Sequence, residues 1–209
     1  MPLLVLASCS DGEATTERST TTAAPATTTA ADPSANDPEL EGYLLEVAAL
    51  PKGFAVSDQV DDTITAFCAG EDATAGLSAS ARAAVAFTRA PPGASVIQLV
   101  FRFDGDGAAA FVDAADSILD RCSEVPDLTG LAFAYQPLGD EVAASLDGAD
   151  EAAGRFGTSV GSERLTIAVA AFRHGDVGQL VAVLGLDLPR AELDELALAA
   201  FGGAMSRAS

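Results

Sequence analysis

Along the chain, apolar positions form runs whose spacing switches between the helical and the extended period. In Glu39–Leu50 (ELEGYLLEVAAL), Leu40, Tyr43, Leu44 and Val47 fall at i, i+3, i+4 and i+7, which predicts a short amphipathic helix stopped by Pro51 and Gly53. Thr63–Cys68 alternates, with Ile64, Ala66 and Cys68 on one side. Ala81–Arg89 carries Ala83, Val85 and Phe87 on one face. After the turn Pro91-Pro92-Gly93, Ser95–Phe103 (SVIQLVFRF) points Ile97, Leu99, Phe101 and Phe103 inward and Gln98 and Arg102 outward. These two runs predict a β-hairpin. Asp104-Gly105-Asp106-Gly107 then breaks the strand, and a helix is expected from about Asp106 to Arg121 with Phe111, Ala115, Ile118 and Cys122 as its buried stripe.

The second half repeats this plan more loosely. Glu141–Ala149 reads as a strand, Arg164–Arg173 has Leu165, Ile167, Val169 and Ala171 on one face, and Val177–Leu186 is apolar enough for a central strand. Between the last two, Arg173-His174-Gly175-Asp176 reads as a tight turn. Pro189 opens a final helix with a stripe of Leu193, Leu196, Ala197, Ala200 and Phe201. Each half thus reads strand, strand, strand, helix. The expected fold is α+β: an antiparallel sheet with helices packed on one face, built from two loosely similar halves over residues 39–209.

The N-terminus is of another kind. Leu6-Ala7-Ser8-Cys9 has the order of a bacterial lipobox, an aliphatic residue and two small ones before a cysteine. On this reading residues 1–8 are the remnant of a lipoprotein signal peptide and Cys9 is the lipidated residue. No Lys or Arg precedes Cys9, so the true start codon is expected upstream. Residues 10–38 are a Thr/Ala/Pro tract without an aliphatic side chain larger than alanine, too poor in apolar surface to offset the entropy of ordering. Segment 9–38 is therefore expected to be a lipid-anchored, disordered tether reaching roughly 30 Å, and a substrate for O-glycosylation. The expected location is the extracytoplasmic face of the cell membrane.

Charge narrows the classes of function. With 31 acidic against 11 basic residues the formal net charge is -20, and Lys52 is the only lysine. Nucleic acid is excluded as a partner because phosphate neutralisation needs clustered Lys and Arg, and anionic membrane surfaces are disfavoured for the same reason. In an exported protein Cys68 and Cys122 are placed to form a disulfide, with two buried free thiols as the alternative. Two scattered cysteines and a single histidine do not make a metal site.

Other constellations carry little chemistry. Asp104-Gly105-Asp106-Gly107 has the letters of a calcium loop, but Ala115 stands where the bidentate Glu would be, so the stretch reads as a turn with Asp106 as N-cap. Gly157-Thr158-Ser159-Val160-Gly161 satisfies G-x-S-x-G, yet a glycine-rich loop precedes the serine, a strand follows it, and His174 comes too soon for a hydrolase order. The carboxylate pairs Asp61-Asp62, Asp140-Glu141 and Glu192 with Asp194-Glu195 are expected on the surface of so acidic a chain. No catalytic residue and no cofactor is assigned.

The lipobox, the Thr/Pro tether, Cys68 and Cys122 flanking a hairpin and helix, and LGDE at Leu138–Glu141 ahead of RHGDVGQLVAVLG resemble a family. It is the actinobacterial lipoproteins related to the extracellular sensor domain of the PknH receptor kinase, and the resemblance covers about Glu39–Ala208. It implies an α+β domain with a cleft for a ligand. Members commonly carry two disulfides, whereas this chain has cysteines for one beyond Cys9. The function expected is a non-enzymatic sensor-like domain binding a small ligand or an envelope protein. A lipid or glycolipid carrier is the alternative, and a serine hydrolase is less favoured. With 10 Phe, 2 Tyr and no Trp, a large aromatic-lined pocket is not expected.

Overall fold

The computed structural model describes residues 36–60, 66–67, 71–90, 93–122, 134–146, 151–160 and 162–207. Residues 1–35, with the expected signal, Cys9 and most of the tether, lie outside the described residues, as does Cys68. Cys122 ends a helix without a described side chain, so the expected Cys68–Cys122 bridge also falls outside them.

The elements run β1 (Phe54–Ser57), β2 (Ala66–Phe67), β3 (Glu71–Asp72), β4 (Ala79–Arg89), β5 (Ala94–Phe103), α1 (Gly107–Cys122), β6 (Ala134–Gln136), α2 (Asp140–Leu146), β7 (Glu151–Val160), β8 (Glu163–His174), β9 (Val177–Leu186) and α3 (Arg190–Arg207). Strands β1-β4-β5-β9-β8-β7-β6 form one seven-stranded sheet in that order, and β2 pairs with β3 separately. Every pairing in the sheet is antiparallel. The class is α+β, as the alternation of apolar runs implies.

The helices do not share one face. On the first face Ile97, Leu99, Phe101 and Phe103 of β5 join Val169, Ala171, Leu180 and Ala182 under Phe111, Ala115 and Ile118 of α1. Phe101, Phe103 and Phe111 cluster with ring centroids 5.6 to 5.9 Å apart, Phe103 and Phe111 stacked and Phe101 tilted against both. On the second face Val96, Ala168, Ala170, Phe172, Val181 and Val183 lie beneath α2 and the α3 stripe of Leu193, Leu196, Ala197, Ala200 and Phe201. The expectation of helices on one face is thus corrected. The central strands are apolar at successive positions, as AVAAF in β8 and VLGL in β9 show, so both of their sides need a cover. The two halves share a strand order about the β5–β9 seam. They share no symmetry, because a two-fold axis at that antiparallel seam would leave both helices on one face.

The N-terminal segment departs from its pattern. Instead of a helix over Glu39–Leu50 there are two 3-10 turns, Glu41–Tyr43 and Val47–Ala49, joined by extended backbone at Leu44 (ψ 141°) and Glu46 (ψ 148°). Leu40, Leu45 and Leu50 are buried, while Val47 is 42% exposed. The sheet supplies the reason. Gln98, expected to face solvent, is 0% exposed. Its Oε1 accepts the Leu45 N–H at 2.7 Å, and its Nε2 donates to the Tyr43 carbonyl at 3.0 Å and to Gln179 Oε1 at 2.7 Å. These bonds take up backbone groups that a continuous helix would pair internally. Further ties come from Asn36 to both backbone groups of Ala84, from Arg102 to Glu39 at 2.6 Å and from Arg207 to Glu46. The hydrogen bond to Glu39 holds the Arg102 guanidinium pKa above its ordinary value.

Two more local expectations change. Glu141–Ala149, read as a strand, holds the helix α2: two acidic residues occupy its first turn, and Val142 and Leu146 at i, i+4 are its buried positions. The glycine-rich loop expected before Ser159 is strand β7, whose glycines sit in the ladder opposite β8. The turns fall where expected, with Gly105 (φ 57°) ahead of α1 and Gly175 (φ 60°) between β8 and β9. Ala110 N–H bonds the Asp106 carbonyl at 3.0 Å, which places Asp106 at the start of α1.

Candidate functional site

On the second face, near the start of β8, three strands meet in a row of small side chains. Thr166 of β8 is paired with Gly157 of β7 on one side and Gly185 of β9 on the other. Flanked by residues without side chains, Thr166 (7% exposed) forms the floor of a depression. The two glycines are needed by what lies above them. A Cβ at Gly157 would come 2.3 Å from Gln136 Nε2, and one at Gly185 would come 2.8 Å from Leu188 Cδ1 and 2.9 Å from Leu193 Cδ1. Gln136 therefore lies across the sheet as one wall, and Leu188 and Leu193 form the other.

The connection from β9 to α3 completes the site. Asp187 has φ 55°, a left-handed conformation that Asp tolerates better than most residues. It is pinned there by two bonds: its N–H donates to the Arg164 carbonyl at 2.8 Å, and its Oδ1 accepts the Arg164 N–H at 2.7 Å. The chain turns at this point and sets Leu188 and Leu193 over Gly185, with Arg190 beside the cavity. Farther along α3, Glu192 bonds Arg89 at 2.6 Å, and the Arg89 guanidinium lies 5.3 Å from the centre of the Phe54 ring, which fixes the helix start against β1 and β4.

The result is a cavity of about 220 Å³ lined by Gln136, Arg164, Thr166, Leu188, Arg190 and Leu193. That is below the roughly 300–1,000 Å³ of pockets for drug-sized molecules. Its lining includes two arginines, a glutamine and a threonine and, among the described residues, no carboxylate. Arg164 Nη2 is 3.4 Å from the Leu188 carbonyl, Arg190 Nη2 is 3.4 Å from the Pro137 carbonyl, and Arg190 Nε is 3.7 Å from Asp194 Oδ2. These contacts are long and use few of the five N–H donors on each guanidinium. A second, more open concavity of about 380 Å³ lies on the first face, lined by Ser57, Gln59, Val60, Thr88, Ser95 and Ile97 among others.

The sequence candidates for chemistry are not brought together. Ser159 pairs with Arg164 at one end of the 12-residue β8, and His174 closes the other end, roughly 30 Å away at ~3.3 Å per residue. Asp140 and Glu141 occupy the first turn of α2, Glu192 and Asp194 are engaged by arginines, and Asp61-Asp62 lies outside the described residues. Among the described residues no group of three or more His, Cys, Asp or Glu side chains converges, and no helix is long and apolar enough to cross a membrane. Arg164, Arg190, Thr166 and Gln136 escape the sequence reading. The one signal they offer is scarcity, since two of only 11 basic residues sit here. No protein-family model matches the chain, and no curated protein matches it.

Proposed function

We propose that this chain is a lipid-anchored, extracytoplasmic binding protein whose domain over 39–209 takes a small ligand without transforming it. The observation that carries the reading is the cavity at the head of β8: among the described residues that line it, the polar side chains are hydrogen-bonding or cationic, with no nucleophile–base pair and no carboxylate pair. Anchoring rests on Leu6-Ala7-Ser8-Cys9 and on the Thr/Ala/Pro tract behind it, which suits a spacer between membrane and domain. Cys9 then carries the lipid, and Cys68 with Cys122 holds the fold. The sensor-like reading agrees with the resemblance to the PknH extracellular domain.

The test is native mass spectrometry of the protein purified from its own membrane, with peptide mapping of the N-terminus. The expected result is a small molecule or an envelope protein that co-purifies with the domain, and an acylated Cys9. Unmodified Cys9 in protein recovered from the aqueous fraction refutes the anchor. Protein that carries neither ligand nor partner refutes the binding role, and a co-purifying long-chain lipid favours the carrier instead.

A further inference from the structure

We infer that the Arg164–Arg190 cavity is a site for a compact oxyanion, a carboxylate or phosphate group on a small soluble molecule. The inference rests on the binding-domain reading and names its ligand class. The first observation is contrast. The chain has 31 acidic and 11 basic residues, yet the described residues that line the cavity include two arginines and no acidic side chain. Its lining runs opposite to the charge of the molecule around it.

The second observation is geometry. Arg164 and Thr166 are two apart on β8 and so project from the same face of the sheet, while Arg190 reaches the cavity from α3 and Gln136 from β6. Three separate elements thus present donors to one space: two guanidinium forks, an amide NH2 and a hydroxyl. Planar guanidinium groups match carboxylate and phosphate oxygens pairwise, which makes them directional as well as charged. The glycines on either side of Thr166 let Gln136 lie close over β7 and Leu188 and Leu193 close over β9, so that the walls of the cavity stand on both sides of the Thr166 floor. Leu188 and Leu193 give the remainder of the ligand a short apolar wall.

The nearby acids define the strength of the site. Asp187 Oδ1 accepts the Arg164 backbone N–H, and Asp194 Oδ2 lies 3.7 Å from Arg190 Nε. The site is thus close to neutral before the ligand arrives. Recognition comes from short-range donors and not from a long-range attractive field, since the net charge of -20 repels anions at a distance. This favours a small anion diffusing in solution over an anionic membrane surface, which would have to approach the whole acidic molecule.

The experiment is titration of the full chain with inorganic phosphate and with acetate, at ionic strength matched by chloride, read by isothermal calorimetry and by thermal midpoint. In a parallel arm the probe is vesicles containing phosphatidylglycerol. Arg164→Gln and Arg190→Gln are the site variants, and Arg121→Gln, an exposed arginine on α1, is the control; circular dichroism verifies that each is folded. The expected result is saturable binding of one or both soluble anions, weakened about tenfold by each site substitution, as loss of a charge-assisted hydrogen bond implies, and changed less than about twofold by the control. Binding equal in the site variants and the wild type overturns the inference, as does binding to vesicles without binding to soluble anions. No soluble-anion binding, together with a neutral molecule that co-purifies from the membrane, overturns the oxyanion and leaves the binding domain standing. Absence of both removes the two readings together.

Discussion

Gln98 and Gln179 are adjacent, fully buried and of one residue type, yet their replacement by leucine is expected to have opposite consequences. Both are 0% exposed. Gln98 serves three partners: the Leu45 N–H, the Tyr43 carbonyl and Gln179 Oε1. In Gln98→Leu all three lose their partner; the part-buried Tyr43 carbonyl adds little, and the buried Leu45 N–H and Gln179 Oε1 cost about 1–3 kcal/mol each, so the loss is about 4 kcal/mol. For a domain of this size that lowers Tm by roughly 8–16 °C. Gln179 is different, because its Nε2 is buried without a partner among the described residues. Gln179→Leu gives up one bond of about 1 kcal/mol and removes that unsatisfied donor, so stability stays within about 1 kcal/mol of wild type. The double variant is expected to be more stable than Gln98→Leu alone, since the second substitution removes the polar atoms stranded by the first. Urea unfolding of the full chain followed by circular dichroism measures all three. Equal losses at the two positions would refute the assignment of the N-terminal clamp to Gln98, and so would a Gln98→Leu loss below about 1 kcal/mol.

Three further outcomes are expected. Gly178→Ala places a Cβ 2.8 Å from Phe111 Cδ1 and 2.9 Å from Phe103 Cε2 inside the aromatic cluster, and is expected to lose about 1–3 kcal/mol by urea titration. Asp187→Ala loses the bond to the Arg164 N–H and keeps a left-handed backbone without the tolerance of Asp, for a loss of about 2 kcal/mol; Asp187→Asn retains both features and is expected to stay within about 1 kcal/mol on the same assay. In exported protein, non-reducing mass analysis is expected to find Cys68 and Cys122 joined. Reduction of that loop of about 55 residues then lowers stability by roughly 4 kcal/mol, and two free thiols would refute the pairing.

Much of the fold was legible locally. The β4–β5 hairpin, β9 at Val177–Leu186, the α1 stripe through Phe111, Ala115 and Ile118, and the α3 stripe through Phe201 follow from spacing alone, because each buries a face whose period is written in consecutive residues. The turns at Gly105 and Gly175 follow likewise, since a positive φ selects glycine there. Short or edge elements were not legible. β1 and β6 have four and three residues, too few to show a period, and the alanine-rich α2 carries only Val142 and Leu146 as a core signal.

What the sequence determined by itself is the class of the domain, its central strands, its two long helices and its acidic balance. Tertiary structure decided three other things. It covered both faces of the sheet, because successive apolar positions in β8 and β9 leave no side fit for water. It broke the Glu39–Leu50 helix, because the buried Gln98 amide on β5, itself bonded to Gln179 on β9, competes for its backbone bonds more strongly than a short helix can hold them. It also built the candidate site, because Gly157, Thr166 and Gly185 become neighbours only through the register of three strands, and Arg164 meets Arg190 only after the turn at Asp187. Periodicity reports what one element buries; which residues from different elements share a space is settled by pairing and packing across the chain.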